Sequence, residues 1–323
     1  MSSNINPTNN DLYGIIDSEY EIIRLLGKGN FSKVYLAHNI KNNEQVAIKI
    51  FDNKETFSQE IKKNLSFSHP NIIKTFKSST NNDFSYIVME YLSNGTLENY
   101  LIIPHRLDRI LSIILDVCKG LDYIHSHNIL HCDLKTDNIL LDCNNKAHIS
   151  DMGLSLLSGE IPDIHEIHYS SPEVNSIYNS PIDNRSDIYS LGIIFYQLLV
   201  KERLFNTPGY VILPPSYFNP EVTESTNQLV LSMLRINPSD RPQNCQEIID
   251  SIIKIQEELK FVNKYEIQLE TDLIESYYLY KNNDFSSSLK ILNSIEKTIK
   301  SSTIYWLYSQ IFIYLEEYDK AIQ

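Results

Sequence analysis

The stretch His131-Cys132-Asp133-Leu134-Lys135-Thr136-Asp137-Asn138 constrains this chain more than any other part of its sequence. An aspartate, a lysine two residues on and an asparagine five residues on put a proton acceptor, a cation and a metal-binding amide on one loop. A fold that uses them must hold that loop at a cleft, with the apolar run Ile139-Leu140-Leu141 anchoring its far side. The plainer reading of the same residues is a polar turn with an Asx cap. Thirteen residues after Asn138, Asp151-Met152-Gly153 supplies a second carboxylate suited to Mg2+. Such a D-x-G is a common turn, and its weight comes from standing in order behind the other motifs.

Two of those motifs lie upstream. Gly27-Lys28-Gly29-Asn30-Phe31-Ser32-Lys33-Val34 falls between two predicted strands, where glycines let backbone N–H groups approach phosphates closely. It is not a P-loop, because no G-K-[ST] opens a helix. Val46-Ala47-Ile48-Lys49 follows on another strand, at the spacing expected if Lys49 reaches phosphates held under the glycine loop. Taken singly, Lys49 reads as a solvated strand-end lysine and Glu60 as one charge on a solvated helix face. Together they offer an ion pair that holds the lysine in position.

Composition narrows the classes of partner. Lys+Arg 28 against Asp+Glu 41 leaves a net charge of −13, which argues against nucleic acid or an anionic membrane surface. No apolar stretch approaches the length of a membrane span, and Met1 to Asn10 lacks the apolar core of a signal peptide. The four cysteines show no zinc spacing and no dense disulfide pattern, which suits a reducing compartment. The expected location is the cytoplasm, with the nucleus left open.

At 323 residues the chain is too long for one average domain and too short for three. Residues 1–18 read as a loose leader. From Tyr20 to Ile50, and again over Tyr86 to Tyr91, the pattern is strand-like. A short helix is expected over Gln59 to Phe67, ended by His69-Pro70. Beyond Leu97 the chain turns helical, over Arg106–His127, Ser186–Val200, Glu224–Arg235 and Cys245–Leu259. Strands first and helices later predict an α+β fold with a small sheet-rich lobe and a larger helical one. From Lys254 to Gln323 there is no Pro and no Gly, so a second, all-helical unit is expected over 255–323.

In this order and without gaps in the motif set, residues 20 to 252 resemble the eukaryotic protein kinase family. Ser171-Pro172-Glu173 matches its A-P-E, Asp187 the aspartate that steadies the catalytic loop, and Arg241 the arginine that pairs with that glutamate. The resemblance implies a bilobal kinase fold over residues 19–254, with ATP and Mg2+ as cofactors. It makes Met89, Glu90 and Leu92 the hinge contacting adenine, and Val34, Ala47 and Leu140 the residues enclosing the base. Gly27, Lys28, Gly29, Asn30, Phe31 and Ser32 would cover the phosphates. Lys49 would orient them with Glu60 behind it, and Asn138 and Asp151 would ligate the metal. Asp133 would accept the substrate's hydroxyl proton, and Lys135 would stabilise the transferred phosphoryl group.

The sequence also departs from that family. Cys132 stands where an arginine normally pairs with a phosphorylated activation loop, and a thiol cannot make that bond. Activity is therefore expected not to need such phosphorylation. Met152 replaces a phenylalanine, Ser32 replaces the third glycine, and Asn64 falls where an apolar residue is usual. Glu166 takes the place of a threonine that bridges Asp133 and Lys135, and the stretch from Val200 to Pro214 is short. Lys135 favours Ser/Thr over Tyr substrates. Glu160, Asp163 and Glu166 point to a basic peptide.

In the C-terminal unit, the stretches beginning Asn283-Asp284-Phe285 and Glu317-Tyr318-Asp319 resemble tetratricopeptide repeats. Phe285 and Tyr318 are 33 apart, one short of that family's repeat of about 34. Generic helical hairpins remain the other reading, and the unit is expected to pack either on the kinase domain or on a peptide or protein partner, unless the natural chain is longer. Two functions follow for the whole chain. The leading one is an ATP-dependent Ser/Thr protein kinase acting on protein substrates. The other is a pseudokinase scaffold that binds nucleotide weakly or not at all and recruits partners through its C-terminal helices. A small-molecule kinase fits less well, because Ser171-Pro172-Glu173 and Arg241 shape a peptide-type activation segment.

Overall fold

The computed structural model describes residues 14–29, 32–52, 54, 57–58, 67–80, 84–101, 105–151, 156–157, 168–175, 181–200, 212–259, 264–296 and 302–314. Six strands form one antiparallel sheet: β1 (Ile15–Ile16), β2 (Tyr20–Lys28), β3 (Ser32–Asn39), β4 (Gln45–Phe51), β5 (Thr75–Thr80) and β6 (Ser85–Glu90), in the order β1-β2-β3-β4-β6-β5. The register sorts the side chains onto two faces. Val34 lies opposite Lys49, Lys49 opposite Ile87, and Ala47 opposite Met89. Because side chains alternate along a strand, all five share one face. The other face carries Tyr35, Ala37, Val46, Ile48, Tyr86 and Val88, which pack with Ile16, Tyr20 and Ile22 into a small core. One face thus builds the lobe and the other is left for the cleft.

The second lobe is helical. Its elements are α1 (Leu97–Tyr100), α2 (Leu107–Ser126), α3 (Asn184–Val200), α4 (Glu224–Met233) and α5 (Cys245–Glu258). Helix α3 is apolar on every side and is buried from Ser186 to Leu199, as a fully enclosed helix must be. Helix α2 runs beneath a hairpin of β8 (Ile139–Leu141) and β9 (Ala147–Ile149). Gly120 permits that contact: a Cβ there would stand 2.8 Å from Ile149 Cδ1 and 2.9 Å from the Asn71 carbonyl oxygen. Asn71 is buried and donates to the Ala147 carbonyl at 2.9 Å, tying the segment before β5 to β9.

The helix bounds differ from the sequence expectation at their ends. Helix α3 begins two residues earlier, where the Ser186 N–H reaches the Asp183 carbonyl, and α4 stops at Met233 rather than Arg235. Phe67 is not helical, and 59–66, with Glu60 and Asn64, lie outside the described residues. Two short strands, β7 (Ile129–Leu130) and β10 (Leu156–Leu157), bracket the loop and its following segment.

Three more helices follow: α6 (Lys264–Lys281), α7 (Phe285–Glu296) and α8 (Ser302–Tyr314). Helices α6 and α7 pack as a hairpin whose turn places Asn283 at a φ of 63°. Ser276 and Ser288, both buried, face each other across it with hydroxyls 2.9 Å apart. Leu273, Ile274, Tyr277, Leu292 and Leu307 join the same apolar cluster as the helical lobe. Tyr318 lies outside the described residues. Among the described residues, no helix is long and apolar enough to cross a membrane.

Candidate active site

Between the inner face of the sheet and the helical lobe lies a cleft of about 870 Å3, within the usual range for small-molecule sites. Gly27, Lys28, Gly29, Ser32, Val34, Ala47 and Lys49 line it from the sheet. Met89, Glu90 and Leu92 line it from the connection between lobes, and Leu140 and Ile149 from the β8–β9 hairpin. The Gly29 N–H donates to the Ser32 carbonyl at 2.8 Å, closing the glycine turn on itself. Asn30, Phe31 and Glu60 lie outside the described residues.

Lys135, Asn138 and Asp151 line the other end of the cleft. Asp133 is held beside them. The Asn138 side-chain amide donates to the Asp133 carbonyl at 2.8 Å and to its carboxylate at 3.0 Å. With its nitrogen so engaged, Asn138 offers its amide oxygen as a ligand. Lys135 Nζ is 3.5 Å from the Asp133 carboxylate. Burial pushes the Asp133 carboxyl above the usual aspartate range, against the opposing pull of Lys135 and His131. A carboxylate raised in this way is a better proton acceptor.

The loop carrying these groups is strained and clamped. Cys132 has a φ of 63° and Asp151 a φ of 59°, left-handed conformations that cost each residue about 1–3 kcal/mol. At Cys132 the cost is offset by Asp187, 1% exposed, which accepts from the His131 N–H at 2.8 Å and the Cys132 N–H at 2.9 Å. His125 Nε2 is 2.8 Å from the same carboxylate. Burial alone would raise the Asp187 carboxyl, and the His125 contact outweighs it and holds the group below the aspartate range. The Asp133 N–H donates to His131 Nδ1 at 3.3 Å, which leaves His131 Nε2 to meet the Ser150 carbonyl at 3.2 Å.

Across the cleft, Lys49 Nζ meets Asp151 Oδ1 at 2.7 Å. The donor set suits a hard cation that keeps other ligands. One carboxylate and one amide oxygen match Mg2+ held jointly with phosphates and water. Among the described residues, no group of three or more His, Cys, Asp and Glu could enclose a metal alone.

Several residues at the site escaped sequence reading. Thr136 donates to Glu98 at 2.5 Å and lies 2.9 Å from the Tyr169 hydroxyl, joining the loop to α1 and to the segment before Ser171. Glu166, expected near that position, lies outside the described residues. Tyr277, Tyr278, Lys281 and Asn282 of the C-terminal unit also line the cleft. No local pattern marks them, because only the docking of α6 brings them there.

Comparison with known proteins agrees with this geometry. The model of the protein kinase domain matches residues 20–253. A probable serine/threonine-protein kinase of Clostridium perfringens is 30% identical over 272 residues, covering 76% of this chain and 39% of that protein. The serine/threonine-protein kinase PknB of Mycolicibacterium smegmatis is 29% identical over 274 residues, 75% of this chain and 44% of its own. PrkC of Bacillus subtilis, also a serine/threonine-protein kinase, is 26% identical over 301 residues, 84% and 46% of the two chains. The chain spans less than half the length of these curated relatives.

Proposed function

The chain belongs to the protein kinase family, and we propose that it transfers the γ-phosphate of Mg·ATP to serine or threonine hydroxyls of protein substrates. One observation carries this reading. Asp133, Lys135 and Asn138 stand together on one clamped loop with Asp151 beside them, and Lys49 meets Asp151 across a nucleotide-sized cleft.

Roles follow from chemistry. Lys49 holds the α and β phosphates, and Asp151 and Asn138 hold the divalent cation. When bound, that cation offsets the negative charge of the phosphates. With nucleotide bound, Lys49 would turn to the phosphates and Asp151 would be released to hold the cation. Asp133 takes the proton of the substrate hydroxyl as its oxygen bonds to the γ-phosphorus. The bond from that phosphorus to the β-phosphate oxygen breaks, and ADP leaves. Lys135 stabilises the charge on the group in flight. Catalysis of this type is positioning and electrostatics, so removing one part slows it by orders of magnitude.

Lys135 favours Ser/Thr substrates, and the acidic Glu160, Asp163 and Glu166 favour a basic peptide. Cys132 removes the usual partner for a phosphorylated activation loop, so activity without that modification is part of the reading. The C-terminal helices serve as a tetratricopeptide-like unit that engages a protein partner. The test is transfer of labelled γ-phosphate from Mg·ATP to the chain and to a basic protein. Transfer that collapses in Asp133→Asn supports the enzyme. Folded wild type with no transfer favours a scaffold instead.

A further inference from the structure

The C-terminal unit contributes to the cleft itself. Tyr277, Tyr278, Lys281 and Asn282, at the end of α6, line the same cavity as Leu92 and Glu98. Tyr277 is 1% exposed, and the hydroxyls of Tyr277 and Tyr278 are both buried with no hydrogen-bond partner among the described residues. Both hydroxyls lie behind the cavity surface, so the polar groups of this helix end that a ligand can reach are those of Lys281 and Asn282.

The helix end is fixed rather than frayed. The Asn282 N–H donates to the Tyr278 carbonyl at 3.0 Å and the Asp284 N–H to the Leu279 carbonyl at 2.9 Å. Leu273, Ile274 and Tyr277 anchor the helix in the apolar cluster of the helical lobe. Lys281 and Asn282 are themselves exposed, and Lys281 Nζ sits 5.6 Å from the centre of the Tyr277 ring. The facing wall is polar as well, with Ser93, Asn94 and Asn99 beyond the hinge. Amide, hydroxyl and ammonium groups around one space suit a ligand portion that both donates and accepts, as sugar hydroxyls do. Phosphates are served elsewhere, at Lys49 and the glycine turn, and the base by apolar residues.

We propose that the end of α6 is the ribose-side wall of the nucleotide cleft, with Lys281 and Asn282 contacting the sugar hydroxyls. This rests on the nucleotide reading above. Linkage makes the effect reciprocal: nucleotide strengthens the docking of the C-terminal helices as those helices strengthen nucleotide binding.

The test uses the full chain and calorimetry with Mg·ADP and with an ADP analogue lacking both ribose hydroxyls. Wild type is expected to prefer ADP. The double variant Lys281→Ala, Asn282→Ala is expected to bind ADP about tenfold more weakly, the size of one or two hydrogen bonds, while binding the analogue as wild type does. Both residues are exposed, so the unfolding midpoint without nucleotide should not move. Amide exchange over 264–281 should slow when Mg·ADP is added. Unchanged discrimination in the double variant overturns the proposal while leaving the nucleotide site intact. Wild type that binds neither ligand overturns both readings.

Discussion

Glu173–Arg241 and Lys49–Asp151 are ion pairs closed to the same 2.7 Å, each with a buried cation over an aromatic ring, yet their carboxylates sit in different surroundings. Arg241 is buried against the Tyr189 ring and spends all five of its N–H groups. Two go to the Glu173 carboxylate and three to the carbonyls of Arg235, Arg185 and Ile236. Ser186 donates to the same glutamate at 2.8 Å. Nothing in that arrangement can be exchanged without leaving a buried charge behind. In the cleft pair, by contrast, the Asp151 side chain is 41% exposed. Solvent reaches it, so phosphate and cation can reach the pair as well. Distance alone does not tell a joint from a binding site; the exposure of the carboxylate does.

Breaking each pair should therefore give opposite phenotypes. The largest effect is expected for Lys49→Met, which should lower phosphate transfer by about 10^3-fold or more with little change in the unfolding midpoint. A radiolabel assay beside thermal unfolding reads both. Next, Arg241→Ala strands the Glu173 carboxylate and should destabilise the chain by about 3–5 kcal/mol in urea titration. Pairing it with Glu173→Gln should recover part of that loss. A smaller change tests the support beneath the loop. Gly120→Ala places a methyl 2.9 Å from a backbone oxygen, so about 1–3 kcal/mol should be lost by the same titration.

The pH dependences sharpen the contrast further. Burial raises the Asp133 carboxyl, so transfer should fall on the acid side at a pH above that of an ordinary aspartate. A rate profile with its acid limb in the ordinary range would contradict this. For Glu173, burial alone would raise the carboxyl, but Arg241 outweighs it and the group lies below the usual range. Its stabilisation is fully present above the unfolded value of about 4.3 and is withdrawn as pH falls through the lowered one. Acid unfolding should begin in that window, and Glu173→Gln should flatten it.

The sequence was most legible where chemistry demands close spacing. Asp133, Lys135 and Asn138 occupy one loop, and the strand carrying Ala47 and Lys49 shows its alternation directly. The two faces of the sheet follow from that alternation once the register sets Val34 against Lys49. What stayed hidden depends on distant packing. Asp187 was legible as a steadying residue, but not the left-handed backbone at Cys132 that it holds in place. Glu98 reads as an ordinary helix charge until Thr136 is brought to it. Tyr277 and Lys281 carry no local signal for a cleft, since the α6 pattern reports only that one face is apolar.

The most direct test is Asp151→Asn, with γ-phosphate transfer and the unfolding midpoint measured on the same preparation. The substitution keeps the shape of an exposed side chain and removes the charge that balances Lys49 and would hold the cation. The expected result is transfer reduced by orders of magnitude with the midpoint within a few degrees of wild type. A variant that transfers phosphate at the wild-type rate, or one that unfolds as readily as Arg241→Ala, would contradict the assignment of this pair to chemistry rather than to the fold.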